Sequence, residues 1–234
     1  MGKGIIVGLV LSACAMPESR ALTYLAIGDS VTAGTNAGGR SFSWATGERL
    51  DASFASQIEA DEAWNVSFPG TVSDSLWLYQ VRQAEVKKAE VVSLLVGTND
   101  LCWGLGHRVV SNVKKIVKHL SAKEHVQAIV VGTLPDLEQV YQIGKTRPYC
   151  SLFRVLCPSY FLKNDAAERA QMRQQISNIN EEIKKLPADF PKAKVVTQIG
   201  EQVYETEDIS TDCFHPTKKG QQRIADAFAE VYSN

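Results

Sequence analysis

Short apolar runs rich in β-branched residues alternate along this chain with longer stretches of mixed polarity. The runs read as strands at Thr23–Ile27, Trp64–Phe68, Val91–Val96, Val126–Val131 and Lys194–Gln198. The third, Val-Val-Ser-Leu-Leu-Val, is nearly continuous in apolar character, the pattern of a strand buried on both faces in a parallel sheet covered by helices. Between the runs the period lengthens. Val109, Val113, Ile116, Val117 and Leu120 fall on one face of a helix over Val109–Leu120, and Met172, Ile176, Ile179 and Ile183 do so over Ala166–Leu186. Asn164 or Asp165 is placed to cap the second helix and Pro187 follows its end. A last helix over Lys218–Tyr232 turns Ile224, Ala227, Phe228 and Val231 inward. Alternating β and α elements predict a three-layer α/β/α domain with a flavodoxin-like parallel sheet of about five strands and right-handed crossovers.

Leu134–Lys163 departs from this rhythm. It has no clean period and carries Pro135, Pro148 and Pro158 together with Tyr141, Tyr149, Phe153, Tyr160 and Phe161. A connection this long is a functional loop or lid, with an acyl-binding groove as one use of its aromatics. The plainer alternative is a packed surface excursion stapled by Cys150 and Cys157. Trp44, Trp77 and Trp103 are further groove candidates, each set against ordinary core packing.

Composition bounds the reading. The 234 residues are 44% hydrophobic and 22% charged with a net charge of −1, as expected of one soluble domain without a basic surface for nucleic acid. At the N-terminus, Lys3 precedes the apolar run Gly4–Leu11 and then Ser12-Ala13-Cys14, which reads as an export signal over residues 1–20, leaving 21–234 as the mature domain. Leu11-Ser12-Ala13-Cys14 also resembles a lipobox, favoured because Cys14 directly follows a short apolar region; cleavage nearer Ala21 is the alternative. Export to the periplasm, outer membrane or medium would let Cys102, Cys150, Cys157 and Cys213 form two disulfides in any of three pairings, with reduced buried thiols as the alternative. Their spacing matches no zinc site, and no metal or cofactor motif occurs.

Chemistry gathers at the predicted strand ends. Ile27-Gly28-Asp29-Ser30 follows the first strand, where α/β folds place their sites, although Gly-Asp-Ser alone is also an ordinary turn. A serine hydroxyl needs a base oriented by a third group. Of four histidines, His119 and His125 flank a helix end and read as solvated, and His107 opens that helix with no acid just before it. His215 lies in Asp212-Cys213-Phe214-His215-Pro216, where Asp212 is spaced to hold one ring nitrogen while the other faces a serine; a turn that caps the last helix is the competing reading. Gly70, in Ser67-Phe68-Pro69-Gly70, and Asn99, in Gly97-Thr98-Asn99-Asp100, could donate to a developing oxyanion; the plainer readings are a Pro-Gly turn and a loop with Asn99 or Asp100 as a cap.

Taken together, Gly28-Asp29-Ser30, Gly70, Gly97-Thr98-Asn99-Asp100 and Asp212-x-x-His215-Pro216 resemble the four blocks of the SGNH/GDSL hydrolases, from about Tyr24 to the C-terminus. The second block is the loosest, resting on Asn65, Gly70 and Ser73. Around Ser30 there is no Gly-x-Ser-x-Gly elbow. The resemblance implies a serine esterase or lipase that forms an acyl-enzyme on Ser30, with His215 as base, Asp212 as its orienter, and Ser30, Gly70 and Asn99 as oxyanion donors. Asn99-Asp100-Leu101-Cys102 and Cys157-Pro158 also look like phospholipase-related members, pointing to a carboxylic ester or lysophospholipid. A carbohydrate O-acetyl esterase, an acyltransferase and a non-catalytic surface lipoprotein attached through Cys14 are the alternatives.

Overall fold

The computed structural model describes residues 21–162 and 165–234, with backbone only over 151–154. The expected leader, Cys14 and Asn164 lie outside the described residues, as does the side chain of Phe153.

Five strands form one parallel sheet: β1 (Thr23–Gly28), β2 (Glu62–Asn65), β3 (Val91–Leu95), β4 (Ala128–Gly132) and β5 (Ala193–Val196), in the order β2-β1-β3-β4-β5. Successive residues point to opposite faces, so each central strand must supply two cores. In β3, Val92 and Leu94 join one core while Val91 and Leu95 join the other. The first core is closed by Val113, Ile116 and Leu120 of the helix Val109–Ser121 and by Ile176, Ile179 and Ile183 of Ala166–Lys184. The second is closed by Ile224, Ala225 and Phe228 of Lys218–Ser233, with Trp44 stacked 4.2 Å from Phe228 and Tyr24 edge-on to Phe54 at 5.1 Å. Truncating a fully buried residue such as Ile116 to alanine would cost about 2–5 kcal/mol. The α/β/α layering expected from the alternation is therefore present.

Several boundaries move. β2 covers Glu62–Asn65 rather than Trp64–Phe68; past Asn65 the chain stays beside β1 through Val66 N–H to Ala26 O at 3.1 Å and Phe68 N–H to Gly28 O at 3.4 Å, and Arg40 donates to the carbonyls of Asn65 and, at 2.7 Å, Ser67. β4 begins at Ala128, since Val126 is buried in the loop before it. The long helix stops at Lys184, and Pro187 lies within a separate turn, Leu186–Asp189. Asp165 caps its start, accepting from Ala167 N–H at 2.7 Å.

The aperiodic stretch is largely helical. Leu137–Lys145 is a helix capped by Asp136, which accepts from Glu138 N–H at 3.0 Å, and Pro148–Leu156 and Pro158–Phe161 are short turns. Cys150 and Cys157 do not join each other: the bridges are Cys102–Cys157 and Cys150–Cys213. Each ties this segment to a loop that carries a predicted site residue.

Candidate active site

In the observed strand order the sense in which successive strands step across the parallel sheet reverses between β1 and β3, and the crevice beyond the carboxyl ends of those strands is where such sheets bind ligands. Ser30 lies in the tight turn after β1. Gly28 permits this turn: a Cβ there would lie 2.3 Å from Thr32 Oγ1 and 2.7 Å from the Leu95 carbonyl. The Gln80 side chain brackets Gly28 with bonds to its N–H at 2.8 Å and its carbonyl at 3.0 Å. The turn closes through Ala33 N–H to Asp29 O at 2.9 Å and Thr35 N–H to Ser30 O at 3.0 Å.

From the far end of the chain, a short antiparallel bridge between Ile209 and Pro216 folds Asp212–His215 back over this turn. Ser210 N–H donates to His215 O at 2.8 Å, Cys213 adopts a positive φ of 62°, and Arg147 donates to the carbonyls of Ile209 and Ser210 at 3.1 and 3.0 Å. The result is a chain of three buried groups. His215 Nε2 lies 2.9 Å from Ser30 Oγ, and its Nδ1 is hydrogen-bonded to Asp212 Oδ2. Asp212 Oδ1 accepts from Ser210 Oγ at 2.5 Å, Phe214 N–H at 3.1 Å and His215 N–H at 3.0 Å. Burial alone would raise the Asp212 pKa, but the hydrogen bond and charge of His215 and the bond from Ser210 outweigh it and hold the carboxyl well below the usual range. An ionised Asp212 fixes the ring so that Nε2 presents to the serine.

Opposite stand the remaining predicted residues. Gly70 has φ 78°, a conformation a side chain would strain, and Asn99 follows Gly97 in the helical turn Thr98–Cys102. Among the described residues, neither the Ser30 nor the Gly70 N–H has a backbone acceptor. Asn99 Nδ2 spends one N–H on Thr71 O at 2.9 Å, leaving its second for a ligand. Ser30, Gly70, Asn99, Asp212 and His215 line one cleft of about 410 Å³, walled also by Pro69, Trp103, Val155, Leu156 and Phe214. A nucleophile with its base and several unpaired donors in one cleft is the equipment for attack on a carbonyl and for holding the resulting oxyanion.

Two sets of supporting contacts escaped sequence reasoning. Asn36, at φ 61°, donates to Asp212 Oδ2; its only signal was a polar residue in a glycine-containing turn shortly after the serine. Asp100 accepts from Ser73 N–H at 2.9 Å and Ser73 Oγ at 2.6 Å, while Asn112 donates to Ser73 Oγ at 2.9 Å and Asp74 at 2.7 Å. Asp100 therefore ties the Gly70 loop to the Asn99 turn rather than acting as a cap. Burial raises its pKa against the opposing bonds from Ser73.

Other candidates fall elsewhere. Trp44 is fully buried, Trp77 packs edge-on against His119 at 5.1 Å, and of the three tryptophans only Trp103 reaches the cleft, 58% exposed. From the aromatic stretch, Tyr160 and Phe161 are buried in the core, and its cleft-lining side chains are the aliphatic Val155 and Leu156. His119 is paired with Glu85 at 2.6 Å rather than simply solvated, and His125 Nε2 is buried without a partner among the described residues. No cluster able to hold a metal occurs among the described residues.

The sequence profile of the GDSL-like lipase/acylhydrolase family matches residues 26–223. No curated protein matches the chain. Solved structures do. A G-D-S-L family protein from Desulfitobacterium hafniense is 15% identical with a TM-score of 0.62, covering 89% of this chain and 98% of its own. Phospholipase A1 from Streptomyces albidoflavus is 16% identical at TM-score 0.60, covering 91% and 100%. A variant of an acetyl xylan esterase from Geobacillus stearothermophilus is 15% identical at TM-score 0.58, covering 90% and 95%. At these identities the structural likeness speaks for the fold.

Proposed function

Because the chain belongs to the GDSL-like lipase/acylhydrolase family and is thus a hydrolase of esters, we propose that it cleaves carboxylic esters of apolar acyl groups, lysophospholipid among them, through an acyl-enzyme on Ser30. The observation that carries this reading is the buried relay from Ser30 Oγ to His215 Nε2 and from His215 Nδ1 to Asp212, in one cleft with Gly70 and Asn99.

Ser30 Oγ attacks the carbonyl carbon as its proton passes to His215 Nε2. Asp212, kept ionised by its hydrogen bonds, stabilises the imidazolium. The oxyanion receives the N–H groups of Ser30 and Gly70 and the second N–H of Asn99. When the tetrahedral adduct collapses, His215 gives its proton to the leaving alcohol. Water then attacks the acyl-Ser30 ester by the same route in reverse, releasing the acid. Each oxyanion donor contributes on the order of 10²–10³ in kcat.

The apolar side chains of Trp103, Val155, Leu156 and Phe214 around the nucleophile favour an alkyl-bearing substrate over an acetylated glycan. Relatives of this fold include both a phospholipase and an acetyl xylan esterase. The test is labelling by a fluorophosphonate probe, with hydrolysis of p-nitrophenyl esters, lysophospholipid and acetylated xylan run side by side. Label and ester hydrolysis that vanish in Ser30→Ala support the reading. A folded wild-type protein that neither takes label nor turns over any ester sinks it, in favour of a binding lipoprotein.

The same proposal includes export. Two disulfides fit an oxidising compartment. Palmitate incorporation by the full-length chain in a bacterial host, lost in Cys14→Ser, would support lipid attachment. Processing near Ala21 without label would refute it.

A further inference from the structure

A second cavity, of about 40 Å³, shares a wall with the cleft. The two spaces divide neighbouring residues between them: Ser30 and Asn99 face the cleft, while Asp29 and Thr98 face the cavity. Phe214, beside His215, lines both. Its ring is held edge-on between Phe161 at 5.7 Å and His215 at 5.0 Å, and its neighbour Cys213 is anchored by the bridge to Cys150.

The cavity's walls include Leu95, Leu137, Val140, Ile209 and Ile224, all buried. Two of its polar groups are bonded within the protein. Asp29 Oδ1 accepts from Val31 N–H at 2.9 Å, and Tyr204 OH donates to Ile199 O at 3.0 Å. Such a space offers mainly carbon contacts, which suits an alkyl chain. It is far smaller than the roughly 150 Å³ that admits benzene, so a chain gains room there only if Phe214 gives way.

Resting on the esterase reading above, we infer that Phe214 determines chain-length specificity: its ring partitions the cavity from the cleft and so sets the upper length of one alkyl arm of the ester. Both arms of a carboxylic ester can be alkyl, so the acyl and the alcohol side are the two sources of that chain.

The experiment measures kcat/KM for wild type, Phe214→Ala and Phe214→Leu on two series, p-nitrophenyl esters from acetate to decanoate and acetate esters of alkyl alcohols of rising length. The readout is the ratio of long-chain to acetyl or methyl substrate within each enzyme, which cancels any general damage to His215. A buried methylene contributes roughly fourfold to such a ratio. Opening room for two or three should raise the long-to-short ratio at least about tenfold in Phe214→Ala and by an intermediate factor in Phe214→Leu. The series that responds identifies the arm. Refilling the cavity with Val140→Phe in the Phe214→Ala background should return the ratio to the wild-type value. Folded variants whose ratios stay within about twofold of wild type in both series overturn the inference while leaving the esterase reading intact. Absence of any turnover by wild type overturns both.

Discussion

The clamp between Asp100 and Ser73 makes a demanding test of how the oxyanion donors are held. Asp100 does not itself line the cleft, yet both its oxygens accept from Ser73, at 2.9 Å from N–H and 2.6 Å from Oγ. Hydrogen bonds to a charged acceptor contribute about 1.5–3 kcal/mol each. Two of them anchor the loop carrying Gly70, and Thr71 O in turn receives Asn99 Nδ2 at 2.9 Å. Removing Asp100 therefore frees both donors facing Ser30 from a common anchor. A donor displaced by about 1 Å loses on the order of 10² in rate, comparable to deleting it. Asp100→Ala should lower kcat on p-nitrophenyl acetate by about 10²–10³, Ser73→Ala by about tenfold because the Ser73 N–H bond survives, and Asp100→Asn by an intermediate factor because one acceptor oxygen remains. KM should change by less than about threefold, since the donors act on the oxyanion rather than on the bound ester. The double variant Ser73→Ala/Asp100→Ala should be no slower than Asp100→Ala alone, the two residues sharing one interaction. The assay is steady-state kinetics beside thermal unfolding. A folded Asp100→Ala enzyme with lowered Tm but kcat within about threefold of wild type would show that the clamp supports the fold and not the donors, and the reasoning would fail.

Three further outcomes follow from the same geometry. Asn36→Ala removes a donor to Asp212 Oδ2 and should lower kcat/KM by about tenfold with the fold intact; an unchanged rate would show that Ser210 and the backbone N–H groups suffice to hold the carboxylate. Breaking either bridge, for instance with Cys102→Ser/Cys157→Ser, should cost about 2–5 kcal/mol in chemical unfolding and reduce activity, because the bridges join the Pro148–Phe161 region to the Asn99 and Asp212 loops; full activity in excess reductant would count against this. Burial lifts the Asp29 carboxyl from 3.8 to about 6, so the native state holds this proton more tightly than the unfolded chain and this group's contribution to stability declines as pH rises between those values. That interval corresponds to about 3 kcal/mol. Asp29→Asn should therefore gain on wild type by about that amount between pH 4 and pH 7 in urea unfolding, and parallel pH–stability curves would refute the assignment.

What the sequence made legible is what local pattern encodes. β1 and β3 were readable because strands buried on both faces must be apolar at nearly every position, and Ser30, Asn99 and His215 stood out as polar residues at the boundaries of such elements. The helix Leu137–Lys145 was obscured by the surrounding prolines and aromatics, although Asp136 before Glu138 was a capping signal in plain sight. The burial of Trp44 and the exposure of Trp103 depend on which layer covers each, which no local window contains. The disulfide pairing was likewise invisible, because Cys102 and Cys157 meet across 55 residues and Cys150 and Cys213 across 63. Asn36 reaches Asp212 across 176 residues. One regularity connects what was read with what was missed. Asp29, Asp100 and Phe214 each adjoin a recognised site residue in the chain, and each turns away from it: Asp29 to the second cavity, Asp100 to Ser73, Phe214 to the partition between the two spaces. At a strand end or tight turn, adjacent side chains diverge, so a motif that marks a reacting group also places its neighbour against whatever supports that group. The positions flanking Ser30, Asn99 and His215 are thus where the control of geometry and of substrate length is to be sought, and the Asp100 and Phe214 variants separate those two roles by moving kcat in one case and the chain-length ratio in the other.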